Sequence, residues 1–108
     1  MSENNLFARS TKLLTNIQAS GTPGNALNMP PGRKTYQASV DGTGAVTASV
    51  NIEGSNDGTH FDVIGTISIS GTTNASDSFT SEDQYMFVRA NPTAISGTSA
   101  AINATFSN

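Results

Sequence analysis

The residues with the most chemical potential in this chain are one histidine and the acids around it. His60 stands three residues after Asp57 and two before Asp62. On an extended strand, His60 and Asp62 share a face, so a shared proton or metal is the first chemistry to weigh. One imidazole with two surface carboxylates does not close a metal shell. The same residues read better as the solvent-facing partners of Phe61 and Val63 in a half-exposed strand. Asn56-Asp57-Gly58 has the look of a calcium loop, but the repeating oxygen ligands and the terminal bidentate Glu are missing, and a tight turn accounts for it. Serines are plentiful, yet there is no Gly-x-Ser-x-Gly elbow and only one imidazole to activate a nucleophile. The eight acids permit a carboxylate pair by count, but they fall in turns or at outward positions. Gly42-Thr43-Gly44 lacks the Lys and the following helix of a phosphate loop. Asn74-Ala75-Ser76 and Asn103-Ala104-Thr105 match the glycosylation pattern; with no secretory signal in view they read as chance. The expectation is a protein that is not an enzyme, with no metal and no cofactor.

Two binding features remain. Arg89 sits inside an apolar strand, Met86-Phe-Val-Arg-Ala90, in a body otherwise without positive charge. It calls for an ion pair with a nearby acid such as Glu82 or Asp83, or for a contact to a neighbouring subunit. Tyr36, Phe61 and Tyr85 could stack on sugar rings, although strand parity assigns Phe61 to the core.

These residues must be positioned by strands. Val46-Thr-Ala-Ser-Val-Asn-Ile-Glu53 alternates apolar and polar, and Phe61, Val63, Ile67 and Ile69 share one parity in the segment from His60 to Ser70. Gly54-Ser-Asn-Asp-Gly58 between them makes a half-buried antiparallel hairpin. Gly65 shares the inward parity and Ile64 opposes it, which suits a bulge or a strand passing between sheets. Tyr36, Ala38 and Val40 form an earlier inward row; Ala100, Ile102, Ala104 and Phe106 form the last. Asp41-Gly-Thr-Gly44, Ser70 to Ser76, Thr80 to Asp83 and Ser96-Gly-Thr-Ser99 read as turns, and Pro92 as a limit to its strand. Six to eight short strands at this spacing predict an all-β fold, a single antiparallel β-sandwich or jelly roll. An extended N-terminal arm and linker over 1–33 would precede a domain over 34–108. Within the arm, Leu6, Phe7, Leu13, Leu14 and Ile17 fit either one face of a short helix or an extended strand.

A chain of 108 residues is one domain. The apolar residues are patterned and the net charge is only −3, which sets disorder aside. There is no cysteine, hence no disulfide or thiolate site, which suits an intracellular birthplace or a stabilising assembly, and Met1–Asn5 opens polar, unlike a signal peptide. No apolar run reaches membrane-spanning length, so no membrane contact is expected. Charge is divided unevenly. Residues 1–34 carry Arg9, Lys12, Arg33 and Lys34 against Glu3, a net +3; residues 35–108 carry Arg89 against seven acids, a net −6. An acidic body repels phosphate, and the basic leader is too sparse for a nucleic-acid arm, so no nucleic-acid partner is expected. The leader suits an acidic protein surface instead.

Three phrases carry a resemblance: Val50-Asn-Ile-Glu-Gly-Ser-Asn-Asp-Gly58, Ile64-Gly-Thr-Ile-Ser-Ile-Ser-Gly-Thr-Thr73 and Phe87-Val-Arg-Ala-Asn-Pro-Thr-Ala-Ile-Ser-Gly97. Together they resemble small β-sandwich virion proteins of tailed bacteriophages, of the head decoration or cement type. The likeness runs from about Tyr36 to Phe106, with Phe61 where many relatives carry Trp. Similar phrases occur in tail-associated proteins. The resemblance implies a structural protein assembled in the bacterial cytoplasm and carried in the virion. As a dimer or trimer it would bind the major capsid protein and stabilise the lattice from outside. Contacts to capsid or sister subunits would then fall on Leu6, Phe7, Arg9, Lys12, Leu13, Leu14, Ile17 and Arg89. Deleting residues 1–18 is expected to weaken attachment and leave the sandwich folded. The alternative function is a carbohydrate- or receptor-binding module of a tail or fibre, which Tyr36 and Tyr85 exposed side by side would favour. A hydrolase using His60 with Asp62 is a third.

Overall fold

The computed structural model describes residues 10–28, 32–82 and 84–107. Among them there is no helix, and five strands form one antiparallel sheet: β1 (Ser10–Ile17), β2 (Leu27–Asn28), β3 (Lys34–Ser55), β4 (Asp62–Ser81) and β5 (Phe87–Ser107). The order is β1-β5-β3-β4, with β2 pairing the start of β5. The described strands do not close into a barrel, so β1 and β4 are edges.

The three long strands cannot be straight. A strand of 22 residues would span roughly 70 Å at about 3.3 Å per residue, whereas the longest extent of the molecule is 38 Å and the shortest 18 Å. The sheet must therefore fold over, and the register shows where. Between β3 and β4 the pairing breaks from Asp41↔Asn74 to Ala45↔Thr72. Between β3 and β5 it slips at Thr43↔Thr98, before resuming at Thr47↔Ser96. All three strands bend along this one line, and Gly44, Thr73, Gly97 and Ser99 have positive φ there. Gly97 is required by its φ of 131° and also by space, since a Cβ would lie 2.9 Å from the Ala45 carbonyl oxygen. The folding-over is visible within β4. The Phe79 ring lies 2.6 Å from where a Gly65 Cβ would stand, although 14 residues of straight strand would separate them by roughly 45 Å.

The expected short strands are thus halves of long ones. Asp41–Gly44, Ser70–Ser76 and Ser96–Ser99 are corners at which a strand bends and keeps its partners, rather than reversals. Glycine, serine and threonine loosen the backbone in either case; only the long-range pairing tells a corner from a turn. The Gly54–Gly58 hairpin does reverse the chain, as expected, and sets Ala48 opposite Ile69, Val50 opposite Ile67 and Ile52 opposite Gly65. Pro92 lies inside β5, opposite Val50, at a register shift that accommodates the missing N–H.

The core lies between the two halves of the folded sheet. Tyr36, Ala38, Val40, Val46, Ala48, Val50 and Ile52 from β3 meet Ile67 and Ile69 from β4. Val88, Ala90, Ala100, Ile102, Ala104 and Phe106 complete it from β5. These are the inward rows of the alternating pattern. Tyr36 sits among aromatic rings, 5.3 Å from Phe79 and 6.3 Å from Phe106 between centroids. Residues 10–17 pair with β5 and contribute Leu13 and Leu14 to the core, so the described part of the expected arm belongs to the sheet. Gly21 and Gly24 then donate to the carbonyls of Pro92 and Ala90, which carries the connection along β5 from one half of the sheet to the other.

Candidate functional site

The outer face of the sheet holds a polar cluster near the hairpin. Glu53 and Arg89 are direct cross-strand partners, and Arg89 Nε donates to Glu53 Oε1 at 2.7 Å. Asn91 Nδ2 donates to the other carboxylate oxygen at 3.1 Å. Phe61 closes the cluster from the hairpin, with the Arg89 guanidinium 3.8 Å from its ring centroid. The Glu53 side chain is only 10% exposed and that of Arg89 28%. Asn91 Oδ1 is buried without a hydrogen-bond partner.

A bulge builds this arrangement. Ile52 faces Gly65 but Glu53 faces Val63, so Ile64 is the extra residue. Ile64 turns inward against the core and Val63 turns outward, 55% exposed. Phe61 therefore leaves the core row that parity assigned to it and lies before β4, half-buried on Arg89. The Arg89 partner is Glu53. Glu82 instead pairs with Arg33, and Asp83 lies outside the described residues. Sequence reasoning missed Glu53 and Asn91 because both occupy outward positions that ordinarily meet water. The Ile64-Gly65 irregularity was the one available signal that the strand face changes here.

The hairpin tip forms a second polar group. Asp57 Oδ1 accepts from the backbone N–H groups of Thr59 at 2.8 Å and His60 at 2.9 Å, and from the Ser55 hydroxyl at 2.9 Å. Asp57 Oδ2 meets His60 Nδ1 at 2.8 Å. Ser55 Oγ accepts from the N–H groups of Asp57 and Gly58. His60 thus pairs with Asp57 across the turn, not with Asp62 along the strand. Among the described residues no three His, Asp or Glu side chains gather as a metal site.

The backbone N–H of His60, then its ring, hold the Asp57 carboxyl well below the ordinary 3.8, with Thr59 and Ser55 adding to the effect. The hydrogen bond and charge of Asp57 raise His60 above 6.5. The raised histidine contributes stability that is present below about pH 6.5 and lost as pH rises through its folded value. The depressed aspartate contributes above about pH 4, and that contribution is lost as pH falls through its own folded value. The turn should therefore be tightest between these limits. The ring of His60, the only histidine, should titrate above 6.5 by NMR, and Asp57→Asn should return it to the ordinary value. A wild-type midpoint at or below 6.5 would refute the pairing.

The expected contact residues are divided by the structure. Leu6, Phe7 and Arg9 lie outside the described residues. Leu13 and Leu14 are 6% and 4% exposed in the chain's own core, so they are not surface anchors. Lys12 is exposed and Ile17 half-buried, beside a shallow cleft of about 340 Å³ that Gly24 and Leu27 also line. Of the other leader cations, Arg33 is engaged by Glu82, and Lys34 is buried with Nζ donating to the Gly32 carbonyl at 2.8 Å. Tyr36 is fully buried, which removes it from any sugar-binding platform with Tyr85. No family model, no curated protein and no solved structure matches this chain.

Proposed function

We propose that this chain is a non-enzymatic virion structural protein of a tailed phage. In this reading it is a decoration protein, its folded sheet a β-sandwich that binds and stabilises the outer surface of the major capsid lattice. The observation that carries the reading is where the three resembling phrases fall. They occupy the hairpin-side halves of β3, β4 and β5, neighbouring strands of one contiguous surface. The phrases thus correspond to a structural unit rather than to scattered turns. The acidic body, net −6 over 35–108, supports a protein partner over a nucleic acid. A small domain of this kind gains stability by mass action when lattice contacts bind only its folded form.

Attachment is assigned to residues 1–9 with Lys12 and Ile17. Deleting 1–18 would remove two core leucines, each worth about 2–5 kcal/mol, and would confound folding with binding. Deleting only 1–9 removes Leu6, Phe7 and Arg9. At about 1.5 kcal/mol or more for each apolar side chain buried on the capsid, affinity should fall at least tenfold with the thermal midpoint of the free protein unchanged. Cosedimentation with undecorated shells of the encoding phage measures this, and cryo-EM should show added density on symmetry axes. Failure of the full chain to bind those shells would remove the decoration reading; equal binding by the truncated chain would remove only the arm as anchor.

A further inference from the structure

The sheet has two edges among the described residues, and they are built differently. The β1 edge is short, breaks register between Lys12 and Leu14 and again between Leu14 and Ile17, and has Asn16 at φ 52°. It also carries an exposed lysine. Irregularity and charge of this kind blunt an edge against further pairing. The β4 edge has its irregularities only at the Ile64 bulge and around Thr73, and between them Gly65 to Gly71 keeps unbroken register with β3. It runs 20 residues without Pro, Lys or Arg, and its acids, Asp62 and Asp77, leave 63–76 free of charge. Its described pairing is with β3 alone.

Within that uncharged stretch, Gly65-Thr-Ile-Ser-Ile-Ser-Gly71 reads almost identically in both directions. We infer that this segment pairs antiparallel with the same segment of a second copy, about a two-fold axis at Ser68, joining two sheets edge to edge. Self-complementarity is what an isologous interface requires. Centred on Ser68, the pairing sets Ile67 against Ile69, Thr66 against Ser70 and Gly65 against Gly71. Faces also match. Ile67 and Ile69 are buried on the inner face, at 2% and 5% exposure, while Thr66, Ser68 and Ser70 are exposed on the outer one. Shifting the centre to residue 67 or 69 keeps the faces but sets Ile69 or Ile67 against a glycine. A half-residue shift sets inward side chains against outward ones. Only the Ser68 register satisfies every position. It gives a surface for the dimer or trimer that the resemblance implies, and it depends on nothing about the capsid.

The test uses the full chain alone in solution. Sedimentation equilibrium should find a discrete dimer. Ser68→Lys sets two like charges opposite each other across the axis and should weaken dimerisation at least tenfold, as should Ser68→Asp. Mixing the two variants should restore a one-to-one dimer. Amide exchange on the wild type should show concentration-dependent protection within 65–71, which needs no variant to fold. A monomeric wild type, an open aggregate, or a Ser68→Lys dimer of undiminished affinity would each overturn the inference. A dimer that fails to bind shells would overturn the decoration reading and leave the edge pairing standing.

Discussion

Tyr36→Ala should destabilise the fold by about 3–5 kcal/mol, the usual cost of removing a large aromatic side chain from a packed interior. Tyr36 is fully buried and its ring is packed between Phe79 of β4 and Phe106 of β5. These neighbours belong to strands on either side of β3, so the cavity would open where all three long strands meet. Small domains commonly have only about 5–15 kcal/mol in total, so the variant should be marginal at physiological temperature. Urea unfolding measures the loss directly, as a lower midpoint at unchanged slope. Tyr85→Ala is the comparison, since Tyr85 is only partly buried against the core, and it should cost clearly less. A loss below about 1 kcal/mol for Tyr36→Ala would mean that the ring is not a keystone of this core.

Glu53→Ala should cost about 2–3 kcal/mol, less than the 3–5 typical of a broken, fully buried pair because the Arg89 side chain keeps 28% exposure. The substitution strands two groups at once: the guanidinium held over Phe61 and the Asn91 amide, whose carbonyl oxygen already lacks a partner. Replacing both charges, as Glu53→Met with Arg89→Met, should recover most of the loss. Desolvating the pair offsets much of its attraction, so an apolar pair of similar volume is close to neutral. The double-mutant cycle should therefore show coupling above 1 kcal/mol. Additive single losses would mean that Glu53 and Arg89 do not act as a pair. Molar salt should change the wild-type value little, because the contact lies largely out of solvent.

Much of the fold was legible because strand periodicity is local. Val46, Ala48, Val50 and Ile52 alternate with Thr47, Ser49 and Asn51 whatever lies beside them, and the period of two states which face is buried. The rows through Tyr36, Ile67 and Ile102 were readable in the same way, and so was the Gly54–Gly58 reversal. Strand number was not. Gly42-Thr43-Gly44 and Ser96-Gly97-Thr98-Ser99 mark departures from regular strand, and a departure can be a reversal or a bend. The direction the chain takes afterwards depends on partners tens of residues away.

The site was less legible than the core. Arg89 announced itself by standing in an apolar strand without a local counter-charge. Its partner lies 36 residues earlier, and no short-range rule selects Glu53 over Glu82. Leu13 and Leu14 fit a docking arm by composition, since apolar residues amid polar ones suit a partner's surface as well as the chain's own interior. By itself the sequence determined an all-β chain with named inward rows, a divided charge and the Gly54–Gly58 hairpin. Tertiary structure alone decided that three long strands fold over a single line of corners. It also decided that a bulge at Ile64 turns Phe61 outward, and that Glu53, Arg89 and Asn91 converge on one face. The division has a physical cause. Alternation comes from steric geometry between neighbouring residues, whereas register, corners and ion pairs come from contacts whose loop-closure cost is met only when the whole sheet forms.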